Sequence, residues 1–414
     1  MNISVAKHVL SNGLKMLFHQ DKSSPLAAVN ILYDVGARDE DPRRTGFAHL
    51  FEHLMFGGTK KIPAFDTPLQ EAGGDNNAFT NNDITNYYIT IPKDNIETAL
   101  WLESDRMNEL GFSEKSLDVQ RKVVIEEFNQ RYLNQPYGDI SLLFRPLCYK
   151  VHPYQWSTIG KEISHISEAR IEEVKDFFGT HYNPQNAILS VVGDFEEDDI
   201  VSLVEKWFAP IRKPHSYVRQ LPVEPVQTEA RRLEVERDVP QHCILISFPM
   251  CSRLDDEYYV FDLLSDVLSR GKSSRLTQTL VKDKKLFSDI DAYISGSMDE
   301  GQFIFRGDVS HGVSVDQAEN AIWEEIEKLK NTLISKNEME RMMNQIETEH
   351  VFRNIGILNK AMNLAFYELM GDASILNWEI EKYRKVNPNQ LISTAKSCFL
   401  TEKSSTLIYK SKYC

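Results

Sequence analysis

The stretch "FAHLFEHLMFGG", residues 47 to 58, places His49, Glu52 and His53 within five positions of an otherwise apolar run. On an α-helix the i, i+4 spacing stacks His49 and His53 on one face, one turn apart, so both imidazoles can reach a single ion with Glu52 beside them. Zinc takes histidine nitrogens at about 2.0 to 2.1 Å and, in catalytic sites, usually three protein ligands plus a water whose pKa falls to roughly 7. A carboxylate next to that water can accept its proton during attack on a peptide carbonyl and then pass it to the leaving amine. Two histidines and a glutamate are most of a hydrolytic zinc site, and one ligand is still missing.

The bland alternative is a helix with partly exposed histidines and a solvated glutamate. Chance occurrence of this pattern in a chain of this composition is on the order of a few per cent, so the motif alone is moderately specific. Its neighbours sharpen it: Leu50, Phe51, Leu54, Met55 and Phe56 make the helix apolar around most of its circumference. Buried histidines beside a buried carboxylate need a partner such as a metal. The missing ligand should come from another buried helix, and "RKVVIEEFNQRY" offers Glu126 and Glu127 next to an apolar stripe. Periodicity leaves both open, although Glu127 borders the apolar side.

The elements that must hold these residues read as strands and helices in a repeated order. "HVL" and "LKMLFH" flank Ser11-Asn12-Gly13, a hairpin signal. The strand "AAVNILYDVGA" follows, and a helix should begin after the turn at Pro42 to Thr45 and end at Gly57-Gly58. A short helix around "FDTPLQEA", the strand pair "NNAFT" and "TNYYITIP", two long amphipathic helices, the strand "NAILSVVGDF" and the helix "DDIVSLVEKWFAPI" complete this half. Residues 213 to 227 lie in a proline-rich stretch of little periodicity and read as a linker. Beyond it the order restarts: "AVNILYDVGARDED", a helix and a glycine match "CILISFPMCSRLDDE", a helix and a glycine. The pattern predicts an α+β fold of two homologous domains, 1–212 and 228–414, each a mainly antiparallel sheet with helices on one face. The matching helix of the second copy, "YVFDLLSDVLSRG", has no histidine, so the chemistry is asymmetric.

Bulk composition excludes several classes. With 414 residues, 42% hydrophobic and 26% charged, the chain reads as a globular protein of two or three domains, neither disordered nor membranous. A net charge of -14 disfavours a nonspecific nucleic-acid binder. Cys148, Cys243, Cys251, Cys398 and Cys414 are scattered and not in CxxC spacing, which argues against a disulfide framework or zinc ribbon and fits a reducing compartment better. No segment reaches the length needed to span a bilayer and no export signal is visible, so cytoplasm is the expectation, with periplasm or an organelle open if a leader has been trimmed.

"HLFEH" is the inverse of the usual zincin order. Together with "VGARDEDP", "LMFGGTKK", "GGDNNAFTNNDITNYYIT", "VVIEE", "HPYQWSTIG" and "YNPQNAILSVVGDF", in that order, it resembles the pitrilysin family of zinc metallopeptidases, in particular the shorter subfamily that includes the mitochondrial processing peptidases. The resemblance spans the whole chain and is densest from about residue 10 to residue 195. It implies two homologous α+β domains, with two such chains or one chain of double length closing around a chamber where peptides are cut. It implies Zn2+ as cofactor, His49 and His53 as ligands and Glu52 as general base. The family's third ligand closes a Glu-x6-Glu pattern whose second glutamate falls on Glu127, while its first is Gln120 here, which can hydrogen-bond but carries no charge. "DNNAFT" resembles the family's edge strand, where a peptide adds as an extra β-strand, so Asn77, Ala78 and Phe79 become candidate substrate contacts.

One departure bears on the assembly. Active family members hold the substrate carbonyl with an arginine and a tyrosine seven positions apart in the C-terminal domain. In "SSRLTQTLVKDKKLFSDIDAY" the matching positions are Val281 and Ser288, and no Arg-x6-Tyr fits that stretch in any register. The expected function is a zinc metalloendopeptidase acting on peptides or unfolded segments as the catalytic subunit of a two-chain assembly. Its partner would be a homologous subunit supplying the arginine and tyrosine, or a second copy in a homodimer. A noncatalytic scaffold or peptide-binding subunit of the same fold is the alternative.

Overall fold

A computed structural model of the chain describes residues 3–212 and 217–413. They group into two compact units. One is built from Met1–Gln130, Trp156–Pro222 and His350–Trp378, the other from Arg131–Gln155, Val223–Glu349 and Glu379–Cys414. Of the linker expected at 213 to 227, residues 213–216 lie outside the described residues, and the division between units falls after Pro222.

In the first unit β1 (Ala6–Val9), β2 (Lys15–Gln20), β3 (Leu26–Tyr33), β4 (Asp75–Thr80), β5 (Thr85–Pro92) and β6 (Ala187–Gly193) form one sheet in the order β1-β2-β6-β3-β5-β4. Every neighbouring pair is antiparallel except β2 and β6. In the second unit β7 (Arg231–Arg237), β8 (Cys243–Met250), β9 (Phe287–Ile294), β10 (Gly301–Val309) and β11 (Ser405–Ser411) form a sheet in the order β7-β11-β8-β10-β9. Here β7 and β11 are the parallel pair. Apart from β1, the two orders superimpose strand for strand, parallel pair included. The chain is two homologous α+β domains, each a mixed, mainly antiparallel sheet with most of its helices packed on one face.

Alternation along the strands shows which face that is. Tyr33 and Tyr87 lie edge to face at 6.0 Å on the side where the Tyr87 hydroxyl reaches the carbonyl of Phe51 in the helix Phe47–Leu54. Ala28, Leu32, Ile188 and Val192 point the other way, and there one helix, Ile357–Leu369, buries Ala361, Leu364 and Ala365 against them. The second sheet repeats the arrangement: Cys243, Leu245, Leu407 and Tyr409 pack against Ile140, Phe144 and Cys148 of the helix Ile140–Cys148. Each of these helices follows the second long helix of its own sequence half and is built into the unit of the other half.

Candidate metal centre

The helix carrying "HLFEH" is only eight residues long, Phe47–Leu54. A helix that short is not stable alone in water, so packing must hold it. Phe47, Leu50, Phe51 and Leu54 are buried, and the Phe51 ring lies against Phe177 at 5.1 Å and Tyr182 at 5.1 Å. Burying one such ring contributes about 2 to 3 kcal/mol, with roughly 0.5 to 1.5 kcal/mol more per aromatic contact. Its N-cap, Gly46, has φ 90°, and a Cβ there would meet the Ile159 carbonyl oxygen at 2.7 Å, so glycine is required. The loop before it is tied down by the Thr45 N–H donating to His165 Nδ1 (3.2 Å) and by the Lys161 N–H donating to Thr45 Oγ1 (2.8 Å).

The partner helix is Glu114–Phe128, opened by Ser113, whose hydroxyl accepts from the Ser116 N–H. It buries Leu117, Val124 and Phe128 and ends in a wide i to i+5 turn, Asn129–Leu133. Glu127 stands in its last turn. The structure separates the two glutamates that periodicity could not: Glu126 is exposed and accepts from Gln130 Nε2 at 2.8 Å, whereas Glu127 faces the histidines.

Glu127 Oε2 lies 3.5 Å from His49 Nε2 and 3.4 Å from His53 Nε2. The imidazole rings are 4.9 Å apart at 88° to one another, and one ligand atom from each of the three residues falls within 4.8 Å of the others. Two ligands about 2.0 to 2.1 Å from a tetrahedral ion are about 3.3 Å apart, so both carboxylate-to-imidazole separations match a shared zinc ion. Neutral imidazole and carboxylate are also the donor set zinc prefers in hydrolytic sites. Among the described residues, His49, His53 and Glu127 are the one group of three or more potential ligands. Side-chain exposures of 13%, 25% and 18% leave the cluster half-buried, open enough for a substrate to approach.

Glu52 sits on the same helix, half-buried and outside the three-ligand group. Burial holds the Tyr87 and Tyr182 phenols far above their ordinary range, and the negative charge of Glu52 adds to this. Gln120 lies two turns before Glu127 and is half-buried. One contributor is not singled out by the sequence, where it lies within "VGARDEDP": Glu40 is buried and accepts from the N–H groups of Gly46 and Ala48 at the start of the histidine helix, each at 2.9 Å. Burial pushes its carboxyl up to about 8, against the pull of the Gly46, Ala48 and Trp156 N–H groups. A glycine at the N-cap was the available signal, because its cap has to come from elsewhere.

The strand bearing Asn77, Ala78 and Phe79 is β4, at the edge of the sheet, where among the described residues it pairs with β5 alone. Ala78 stands opposite Tyr87 and so faces the histidine helix, while Asn77 and Phe79 project from the other side. Asn77 Oδ1 accepts from the Ala78 N–H at 2.8 Å. In the second unit, Val281 lies in the irregular helical segment Thr277–Asp283 and packs against the core, and the Ser288 hydroxyl donates to the Asp308 carbonyl at 3.2 Å. Arg275 is paired with Glu338 at 2.9 Å. No helix among the described residues is long and apolar enough to cross a membrane.

Comparison with known proteins agrees with this architecture. Residues 15–137 match the family model "Insulinase (Peptidase family M16)" and residues 169–346 match "Peptidase M16 inactive domain". The chain is 29% identical over 411 residues to the zinc protease PqqE of Helicobacter pylori, covering 97% of this chain and 91% of that protein. The crystal structure of a protease from Helicobacter pylori superimposes with a TM-score of 0.93 at 28% identity, covering 99% of this chain and 100% of the other. Pitrilysin superimposes with a TM-score of 0.81 at 16% identity, over 100% of this chain but 45% of its own. With a histidine, histidine and glutamate cluster spaced for zinc in its first unit, the chain has the fold of the M16, or pitrilysin, family of zinc metallopeptidases.

Proposed function

We propose that this protein is a zinc-dependent metalloendopeptidase that cleaves peptides or unfolded segments, working as the catalytic subunit of a two-chain assembly. The observation that carries the reading is the convergence of His49, His53 and Glu127, with Glu52 one position before His53 on the same helix. Zinc held by those three ligands would supply Lewis acidity for a peptide carbonyl and a water beside it. Glu52 then acts as general base, its carboxylate taking a proton from the attacking water and returning it to the leaving amine. A peptide lying along β4 satisfies the free edge with its own main chain, which orients the scissile bond whatever the side chains are. Asn77, Ala78 and Phe79 are the positions where that pairing takes place.

Val281 and Ser288 leave the carbonyl-holding pair to be supplied from outside the stretch where it is expected. A homologous chain bringing an arginine and a tyrosine fits this, as does the span of pitrilysin, of which this chain covers 45%. A second copy of the chain is the other candidate partner. The same two residues favour the second reading, a noncatalytic scaffold or peptide-binding subunit. Four described cysteines are free thiols, in keeping with a cytoplasmic location.

Glu52→Gln decides between the readings. The enzyme reading expects one bound zinc per chain and a fall in kcat of roughly 10²- to 10⁴-fold. Unchanged turnover in that variant, measured in the presence of whatever partner the wild type needs, would sink it.

A further inference from the structure

The eight-residue helix Phe47–Leu54 begins at a glycine that offers no capping side chain. Its leading N–H groups are taken instead by Glu40, six residues before that glycine. Oε2 accepts from the Gly46 N–H and Oε1 from the Ala48 N–H, both at 2.9 Å. Glu40 is 5% exposed. The indole N–H of Trp156, itself 2% exposed, donates to Glu40 Oε2 at 3.0 Å and to the Ala37 carbonyl at 2.9 Å. The Lys161 ammonium caps that ring from 4.7 Å.

A carboxyl group gripping two N–H groups through both oxygens fixes the rotation of a helix as well as the position of its end. Side-chain tips lie about 5 to 6 Å from a helix axis, so a 10° rotation moves an imidazole nitrogen by about 1 Å. Metal ligation tolerates about 0.2 Å. The second gripped N–H belongs to Ala48, the residue next to His49.

We propose that Glu40 is a positioning residue for the zinc site: its carboxyl group, oriented by Trp156, sets the rotation of the helix that carries His49 and His53 and hence their distance from Glu127. This rests on the zinc reading above. Apolar packing through Phe47, Leu50 and Phe51 keeps the helix in place, and Glu40 selects one azimuth within that packing.

The test uses the full-length chain, stripped of metal and titrated with zinc against a chromogenic chelator, and then with cobalt while the visible d–d spectrum is recorded. Glu40→Gln, which keeps the volume but turns an N–H2 toward the donors, should weaken zinc binding about tenfold and shift the cobalt spectrum. Glu40→Ala should weaken it further, up to about 100-fold. Trp156→Phe keeps the ring and removes only the indole donor, so it serves if the Glu40 variants fail to fold, and it should weaken zinc binding several-fold. Zinc affinity and cobalt spectra indistinguishable from wild type in Glu40→Ala, or in Trp156→Phe where that variant alone folds, would overturn the proposal even if melting temperatures fell. A wild-type chain that takes up no zinc would overturn the zinc reading itself, and this proposal with it.

Discussion

The two units place a helix at the same point of the same topology and use its polar positions differently. In the first unit the i, i+4 residues are His49 and His53, and they meet a carboxylate from a separate helix. In the second, Tyr258–Ser269 carries Asp262 and Asp266 at the same spacing, and neither is left for a metal. Asp262 accepts from the Tyr383 hydroxyl at 2.5 Å, and Asp266 pairs with Arg270 at 2.7 Å. The sheet edges differ as well. β4 has one carboxylate, Asp75, whereas β9 exposes Asp289 and Asp291, and edge carboxylates discourage the addition of a further strand. One scaffold thus appears twice, once with its helix residues gathered around a candidate metal position, and once with the helix acids taken by local partners and the sheet edge lined with carboxylates.

The largest expected effect tests the first half of that contrast. His53→Ala or Glu127→Gln should weaken zinc binding by more than about 100-fold in equilibrium dialysis, because a ligand is lost outright. Asp262→Asn in the second unit and Glu126→Gln one residue from the ligand should leave it unchanged. Zinc retained by Glu127→Gln but lost from Glu126→Gln would reverse the assignment.

A smaller effect is expected at the edges. Ala78→Pro removes an N–H from β4, where an edge position tolerates proline, and should lower kcat/KM about tenfold through KM, the worth of one main-chain hydrogen bond. Asp291→Ala on β9 should change kcat/KM less than twofold. Equal losses in both would show that β4 is not the strand that takes the peptide.

The smallest effects separate the units by pH. Burial is the main cause of the drop in the His181 pKa to about 4, so the fold favours the neutral ring. Its contribution to stability is complete above about 6.5 and is lost as pH falls toward 4, by roughly 3 kcal/mol in all. Asp266 runs the opposite way: burial raises it to about 6, so its contribution is complete below about 4 and is lost as pH rises through 6. His181→Phe should therefore flatten the acid limb of a melting-temperature profile. Asp266→Asn should gain on the wild type between pH 4 and 6. Profiles parallel to the wild type in both variants would contradict these buried titrations.

Much of the site could be read from residue types and spacing, because His49, Glu52 and His53 lie within one turn and a half of a single helix. Glu127 could not be told from Glu126 by periodicity alone, since both border the same stripe; the pitrilysin resemblance singled it out, and the geometry agrees. Glu40 was illegible for a different reason. Three consecutive acidic residues look like a solvated turn, and only the tertiary fold shows that the middle one is buried under Trp156. The two sheets followed from alternation and turn residues, and their duplication from the repeated order of elements. The placement of Ile140–Cys148 and Ile357–Leu369 did not, because an amphipathic stripe shows that a helix is buried without saying which sheet it covers.

That placement has a consequence for the order in which the protein is made. Ala28, Leu32, Ile188 and Val192 are all synthesised long before the helix Ile357–Leu369 that shields them. While the nascent chain leaves the ribosome, the finished sheet of the first unit keeps an oily face open for more than a third of the length of the polypeptide, from Gly193 to Ile357. A fragment stopped before residue 357 should therefore be a substrate for chaperones rather than a small working metalloprotein.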